Sequence, residues 1–423
     1  MTREVPAGYV PAHVDQIRGK ITRILWGTRI ALCITGSSAA YRSVDLARLL
    51  IRHGADVVPV MTDAAMELVG PELLHWATGN VPVTKLTGAL EHVELGGEGP
   101  GSVNAVLVAP ATATTISGIA MGDASDPVTA LVNVALGAGK PVIVVPAMHE
   151  QMYRNPAIVR AIGELESMGV QVVQPSLEEG KAKIAPADEI LEAVVASMRK
   201  KSLRGIRALV TAGPTLEWID PIRAITNRGS GRTGAYVAKE LIARGAEVAI
   251  VAGPSDVEMP RNARVVHVET TEEMVEVAGK LVEDFRPNFA VATASPADFR
   301  PERTADRKIP TEEGPLEIRL VPTPKVVDAL SSRIPVFAFR AVHGHLADEE
   351  LAAEGREYIR KHQGVFAVAV NDVSEKGLGF GSEYNRLILV SRDRVEPLPP
   401  LHKRVMALHL VDFLESVLQS SRP

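Results

Sequence analysis

From residue 30 the chain settles into a regular alternation. Apolar runs rich in Val, Ile and Ala occupy 30–35, 55–61, 104–109, 141–146 and 170–174. Between them, stretches at 40–53, 112–120, 128–138 and 156–168 carry apolar positions at helical spacing. Short strands alternating with helices predict a parallel sheet covered on both faces. A further helix over 187–199 runs into Arg199-Lys200-Lys201-Ser202, a charged stretch without an apolar face, which reads as a linker. The pattern restarts at 206–212 and continues through apolar runs at 246–252, 263–268, 288–294, 335–340 and 365–370. The expected fold class is therefore α/β, with two doubly wound, Rossmann-like, three-layer domains spanning 1–200 and 203–423. Residues 1–26 read as an extension ending in a short amphipathic helix through Ile17, Ile21, Ile24 and Leu25.

Charge and cysteine content narrow the partners. The 46 basic and 51 acidic residues give a formal charge of -5, and neither sign forms a long block. There is no basic stripe for nucleic acid and no polybasic flank for lipid, so neither nucleic acid nor a membrane is an expected partner. No apolar segment approaches the ~20 residues of a membrane-spanning helix, and the expected location is the cytoplasm. A single cysteine, Cys33, leaves no intrachain disulfide and no cysteine-based zinc cluster.

In the first half the candidate chemistry sits where strands end. Gly36-Ser37-Ser38 follows the first apolar run, and small residues there let backbone N–H groups approach an anion at a helix start, which suits a phosphate. A tight connection without a ligand is the alternative. Met61-Thr62 places a hydroxyl at the next strand end, and Ala109-Pro110-Ala111-Thr112 suits a turn pressed against a flat ring. His92, in Glu91-His92-Val93-Glu94-Leu95 ahead of Gly96 and Gly97, is by itself more readily a surface or core histidine than a catalyst.

These motifs, followed in order by Pro146-Ala147-Met148-His149 and Met152-Tyr153, resemble the family of homo-oligomeric flavin-containing cysteine decarboxylases over most of 28–195. The resemblance implies an FMN-dependent decarboxylase domain, with FMN between the subunits of a homo-oligomer, trimer-based or dodecameric. It places Gly36, Ser37, Ser38, Thr62, Ala109, Pro110, Ala111 and Thr112 around the flavin's phosphate and ring. His92 becomes the catalytic histidine, and an imidazole titrating near neutrality suits proton handling there. The implied chemistry is oxidation of a cysteinyl unit to a thioaldehyde, loss of CO2, and return of the electrons to the ene-thiol. Met148 and His149 are the implied substrate contacts, with His149 where the family often has an asparagine for the substrate carboxylate. The flap at 179–185 has no cysteine. Lys183 is expected to replace it as proton donor or to clamp a phosphate, with a solvated charged loop as the other reading.

In the second half, Gly229-Ser230-Gly231-Arg232-Thr233-Gly234 matches G-x-G-x-x-G. A dinucleotide fingerprint follows its strand at once, whereas here about fifteen residues intervene, and no acidic residue ends the 246–252 run. A conventional NAD site is not expected. Asn227, this turn, the 292–298 segment, Arg307-Lys308-Ile309, Phe337-Ala338-Phe339, Asn371-Asp372-Val373, Gly379-Phe380 and Asn385 instead resemble phosphopantothenate–cysteine ligase over about 206–395. The resemblance implies 4′-phosphopantothenate, cysteine, CTP and Mg2+ as reactants. It puts Asn227 over the activated acyl group and Ala292, Thr293, Ala294 and Asp298 around the cytidine nucleotide. Pro322, Thr323, Pro324, Lys325 and Val326 stand beside them, with Lys308 on the triphosphate and Phe339 near the base. Forming an amide from a carboxylate needs a leaving group, and a cytidylyl anhydride supplies one; Lys308 and magnesium would offset the triphosphate charge. The family's lysine pair before the Asn-Asp-Val strand corresponds here to Arg360-Lys361, and Val342 stands where a glutamate is common. Decarboxylase and ligase of these kinds occur fused in this order, for consecutive steps of coenzyme A biosynthesis. The competing readings are a flavin decarboxylase of another cysteine adduct or peptide, and a non-catalytic regulatory relative.

Overall fold

A strand buried on both faces needs apolar side chains at every position, and the apolar runs supply them. The computed structural model describes residues 12–420, and the chain divides into two units, Met1–Arg199 and Lys200–Pro423. The first unit contains Arg29–Ile34 (β1), Asp56–Met61 (β2), Ala105–Ala111 (β3) and Val142–Pro146 (β4). Two short strands follow, Met148–His149 (β5) and Gln171–Val172 (β6), then a hairpin of Ser176–Glu178 (β7) and Lys181–Lys183 (β8). The main sheet runs β2-β1-β3-β4-β6, all parallel. Along β1, Ile30, Leu32 and Ile34 enter one apolar core while Ala31 and Cys33 enter the other, the two-residue alternation of a strand with helices above and below. Burial pushes the Cys33 thiol far above its usual range, which keeps it a small hydrophobe.

The second unit opens with Arg207–Ala212 (β9), a hairpin of Leu216–Trp218 (β10) and Ala224–Thr226 (β11), Glu247–Ala252 (β12), Arg264–His267 (β13) and Phe289–Ala292 (β14). A two-stranded ribbon pairs Phe299–Pro301 (β15) with Leu320–Pro322 (β16). Val336–Val342 (β17), Val365–Asp372 (β18), Tyr384–Ser391 (β19) and Val395–His402 (β20) complete a sheet of order β13-β12-β9-β14-β17-β18-β19-β20. Its last two strands are antiparallel additions. Both units fall in the expected α/β class.

Each parallel sheet reverses its strand order once, at β1/β3 in the first unit and at β9/β14 in the second. At such a reversal the connections leave toward opposite faces, and a crevice opens beyond the strands' carboxyl ends. This positions both candidate sites.

Three segments depart from expectation. Residues 1–11 of the extension lie outside the described residues; beyond them only Ala12–Asp15 is helical, and 16–19 and 24–27 are turns. Gly19 sits at φ +66°, and the N–H groups of Gly19, Ile21 and Leu25 donate to the carbonyls of Ile51, Arg52 and His53 at 2.9, 3.0 and 2.9 Å. The extension thus satisfies the free carbonyls ending the helix Arg42–Arg52 instead of forming its own helix. The charged stretch after Arg199 is not a free linker. Lys201 Nζ donates to the Ala243 carbonyl at 2.8 Å, Ser202 Oγ to Glu415 at 2.6 Å, and Leu203 is buried. The third departure is the β19–β20 pair, which was not expected although β19 carries the apolar run Leu387-Ile388-Leu389-Val390.

Candidate active sites

At the first unit's crevice the side chains that end four neighbouring strands meet. Thr35, buried at the end of β1, donates from Oγ1 to the Pro110 carbonyl at 2.8 Å and accepts from Thr112 N–H at 3.1 Å. Ser43 Oγ donates to the Ala109 carbonyl at 3.0 Å, and Ser37 Oγ to the Ala147 carbonyl at 3.1 Å. Ser37, Thr62 and Thr112 also accept from the N–H groups of Ala39, Ala65 and Thr115, so each hydroxyl starts a helical turn. A Cβ on Gly36 would lie 2.5 Å from that of Ala64, which leaves no room for a side chain there. Gly36, Ser37, Ser38, Thr62 and the 109–112 turn therefore gather at one end of the sheet. Small residues, hydroxyls and helix starts form a surface suited to a phosphate and a flat ring.

Met148 and His149 form β5, which pairs antiparallel with β8 (Met148↔Ala182, His149↔Lys181). The expected flap is thus a hairpin laid against the Pro-Ala-Met-His segment, and His149 is exposed at the start of the short helix Glu150–Tyr153. Lys183 belongs to the same hairpin. Its Nζ pairs with Glu179 at 2.8 Å and Glu178 at 3.2 Å, and those bonds push its pKa up. These ion pairs with exposed glutamates help close the hairpin, as in a solvated charged loop.

His92 lies in the segment Glu91–Gly96, and its Nδ1 is buried without a hydrogen-bond partner. Gly96 packs on Leu131 and Val134, and the Leu95 carbonyl accepts from Val103 N–H at 2.8 Å, ahead of β3. The crevice turn at Pro110 lies at the other end of that strand, roughly 20 Å further on at ~3.3 Å per residue.

The second unit carries a cleft of about 350 Å³ at its own reversal. Thr211 and Gly213 line it from β9, the 229–234 turn from the start of the helix Arg232–Ala243, and 292–298 from β14. Thr323, Pro324, Lys325, Val326 and Phe339 also line it, whereas Pro322 does not. Thr293 Oγ1 donates to the Thr211 carbonyl at 2.7 Å, stitching the two strand ends together. Asn227 Nδ2 donates to the Pro296 carbonyl at 2.8 Å, and Asp298 is ion-paired with Lys325. Lys308 is exposed and is not among the lining residues. Its loop is nonetheless anchored next door, because Ile309 N–H donates to Asp220 at 3.2 Å and Arg223 Nη2 to the Ile309 carbonyl at 2.7 Å. The Arg223 guanidinium, foremost, holds the Asp220 carboxyl well below the usual range. Among the described residues no cluster of His, Cys, Asp and Glu could hold a metal ion, and no helix is long and apolar enough to cross a membrane.

Comparison with known proteins now decides the family. The coenzyme A biosynthesis bifunctional protein CoaBC of Thermococcus kodakarensis is 42% identical over 409 residues, 96% of this chain and 99% of that protein. The chain belongs to this bifunctional coenzyme A biosynthesis family. The CoaBC protein of Methanocaldococcus jannaschii is 31% identical, over 96% of this chain and 97% of its own. Residues 21–199 match the family described as flavoprotein, and 203–418 the family described as DNA/pantothenate metabolism flavoprotein C-terminal domain. The crystal structure of the C-terminal domain of a CoaBC protein aligns at 26% identity with a TM-score of 0.42, covering 52% of this chain and 100% of that one.

Several cleft residues of this family member escaped sequence reading. Helix Asp348–Lys361 and its C-cap turn Tyr358 and His362 toward the cleft, with rings 4.2 Å apart and His362 Nδ1 2.5 Å from Asp328. The expected pair Arg360-Lys361 instead meets Glu357 on the helix surface. Beneath the 295–298 turn, buried Glu217 accepts from Thr271 N–H at 3.0 Å and Thr271 Oγ1 at 2.6 Å, while Thr215 accepts from Ala297 N–H at 2.9 Å. Lys403, also buried, reaches the cleft wall from the end of β20.

Proposed function

We propose that the second unit joins cysteine to 4′-phosphopantothenate with CTP, through an acyl-cytidylate, and that the first unit decarboxylates the 4′-phosphopantothenoylcysteine so formed with FMN. The observation that carries this reading is that two strand-order reversals in one chain open onto two different sites. One is a shallow surface of hydroxyls and small residues; the other is a cleft lined by a glycine turn, Asn227 and the 292–298 turn. Membership in the bifunctional family supports the pairing of the two reactions.

FMN, when bound, takes up and returns the electrons of the decarboxylation. The chain's own part is to seat its phosphate and ring on Gly36, Ser37, Ser38, Thr62 and 109–112, to orient substrate with Met148 and His149, and to move a proton at His92. A homo-oligomer with FMN between its subunits, as the resemblance implies, belongs to this reading. In the ligase cleft, Asn227 fixes the 295–296 carbonyls beneath the acyl group, and Lys325 or the loop of Lys308 meets phosphate charge. Magnesium enters as part of the nucleotide substrate, since the described residues form no cage for it.

The deciding experiment supplies phosphopantothenate, cysteine and magnesium with each nucleoside triphosphate in turn and follows products by mass spectrometry. CTP is expected to yield the amide, then a product 44 mass units lighter by loss of CO2 (about 44, the mass of CO2). Absence of amide with every nucleotide removes the ligase reading, and amide without CO2 loss removes the decarboxylase reading.

A further inference from the structure

The ligase cleft holds a buried cation with no function yet. Lys403 is 4% exposed, begins the helix Lys403–Ser420 and lines the cleft. Its Nζ donates to the Gly379 carbonyl at 2.8 Å, and among the described residues no carboxylate lies within ion-pair distance of it. Two of its three N–H donors are left over. The charges that act on it are those of Arg232 and Glu383. Glu383 is already engaged by Arg232 at 3.0 Å and His402 at 3.6 Å, and Arg404 pairs with Glu240 at 2.8 Å. Burial, and then the Arg232 charge, push the Lys403 pKa down to about 8, with Glu383 offsetting only part. A buried charge is normally paired, and here the pairing partner is missing from the protein.

The surroundings fit an anionic guest. Gly379, at φ +80°, belongs to a glycine-rich turn whose Phe380 is exposed on the cleft, and Asn371 and Asn385 lie buried beside it. The 229–234 turn and Arg232 line the same cleft. We propose that Lys403 binds a phosphate oxyanion of a ligase substrate, a role that rests on the ligase reading above. The oxyanion comes either from the phosphomonoester of 4′-phosphopantothenate or from the nucleotide triphosphate. Binding adds the missing countercharge, so the ammonium takes up a proton wherever it was partly neutral before.

Titration calorimetry on the full chain at pH 8.5, in two buffers of different ionisation heat, tests this with phosphopantothenate, pantothenate and CTP–magnesium separately. With its pKa pushed down to about 8, part of the ammonium is deprotonated at pH 8.5, so the ligand that meets it should bring proton uptake. Lys403→Met should abolish that uptake and weaken the same ligand at least tenfold, leaving the other within twofold. If phosphopantothenate is that ligand, pantothenate should bind at least tenfold more weakly and without uptake. Lys403→Arg should keep most affinity yet show no uptake, since guanidinium does not titrate there. Should the Met variant fail to fold, wild-type uptake and the Arg variant decide. Wild-type affinity for both phosphate ligands in Lys403→Met overturns the proposal, whatever the uptake. A wild type that forms amide while Lys403→Met behaves normally removes only Lys403, whereas a wild type that forms none removes the ligase reading itself.

Discussion

At the scale of single residues, what a side chain can do depends on its partners. His92 has a buried Nδ1 without one, so a variant that keeps its shape removes proton transfer while leaving the flavin surface alone. His92→Asn should stay yellow, with an unchanged visible spectrum, and release CO2 roughly 100- to 10,000-fold more slowly, the usual range for a lost acid–base group. Turnover within tenfold of wild type would take His92 out of the reaction. The strand-end residues around the first crevice were legible because each follows its own apolar run, so local pattern carries them. Tyr358, His362 and Lys403 were not. Their proximity to the cleft comes from folding together segments far apart in the chain, and nothing nearby in sequence marks them. The ion pairs of Lys183 with Glu178 and Glu179 were not read from the sequence either, because they depend on the β7–β8 pairing.

At the scale of elements, the glycine turn at 229–234 has a reason other than a dinucleotide. A Cβ on Gly234 would lie 2.5 Å from the Ala212 Cβ and 2.6 Å from Thr293 Oγ1, so the helix Arg232–Ala243 sits directly on β9. Close helix–strand packing accounts for the last glycine of the motif. The distance that sets this motif apart from a dinucleotide fingerprint is spent on the β10–β11 hairpin. Gly234→Ala should lower unfolding free energy by about 1–3 kcal/mol, as overpacking does, and should weaken CTP binding because the cleft-lining turn must move. Denaturant unfolding with an unchanged midpoint would mean that the helix has more room than these distances allow. The strand β20 was missed for an opposite reason: Pro397, Pro399 and Pro400 argue against a strand, yet β20 is the sheet edge, where a missing N–H costs no ladder bond.

At the scale of the whole molecule, each unit has its own sheet with an apolar core on both faces, which is the requirement for folding alone. Alternation of strands and helices made that architecture legible, and the division at Arg199/Lys200 falls within the expected junction; the contacts of that stretch were not legible, because charge alone does not make a linker. Lys200–Arg204 carries contacts that belong to the second unit: Lys201 on the Ala243 carbonyl, Leu203 N–H on the Arg244 carbonyl at 2.9 Å, and the buried Leu203 side chain. A fragment 200–423 should therefore fold and form the amide without flavin, while 1–199 should bind flavin and form none. A fragment 204–423 gives up the burial of one leucine, worth about 1.5–3 kcal/mol, and a hydrogen bond worth ~1 kcal/mol. At roughly 2–4 °C per kcal/mol for a unit of this size, it should melt about 5–15 °C below 200–423. Scanning calorimetry of the two fragments measures the difference directly. Equal melting temperatures would show that residues 200–203 are the free linker their charge implies, and amide formation only by the intact chain would show that the ligase needs the first unit.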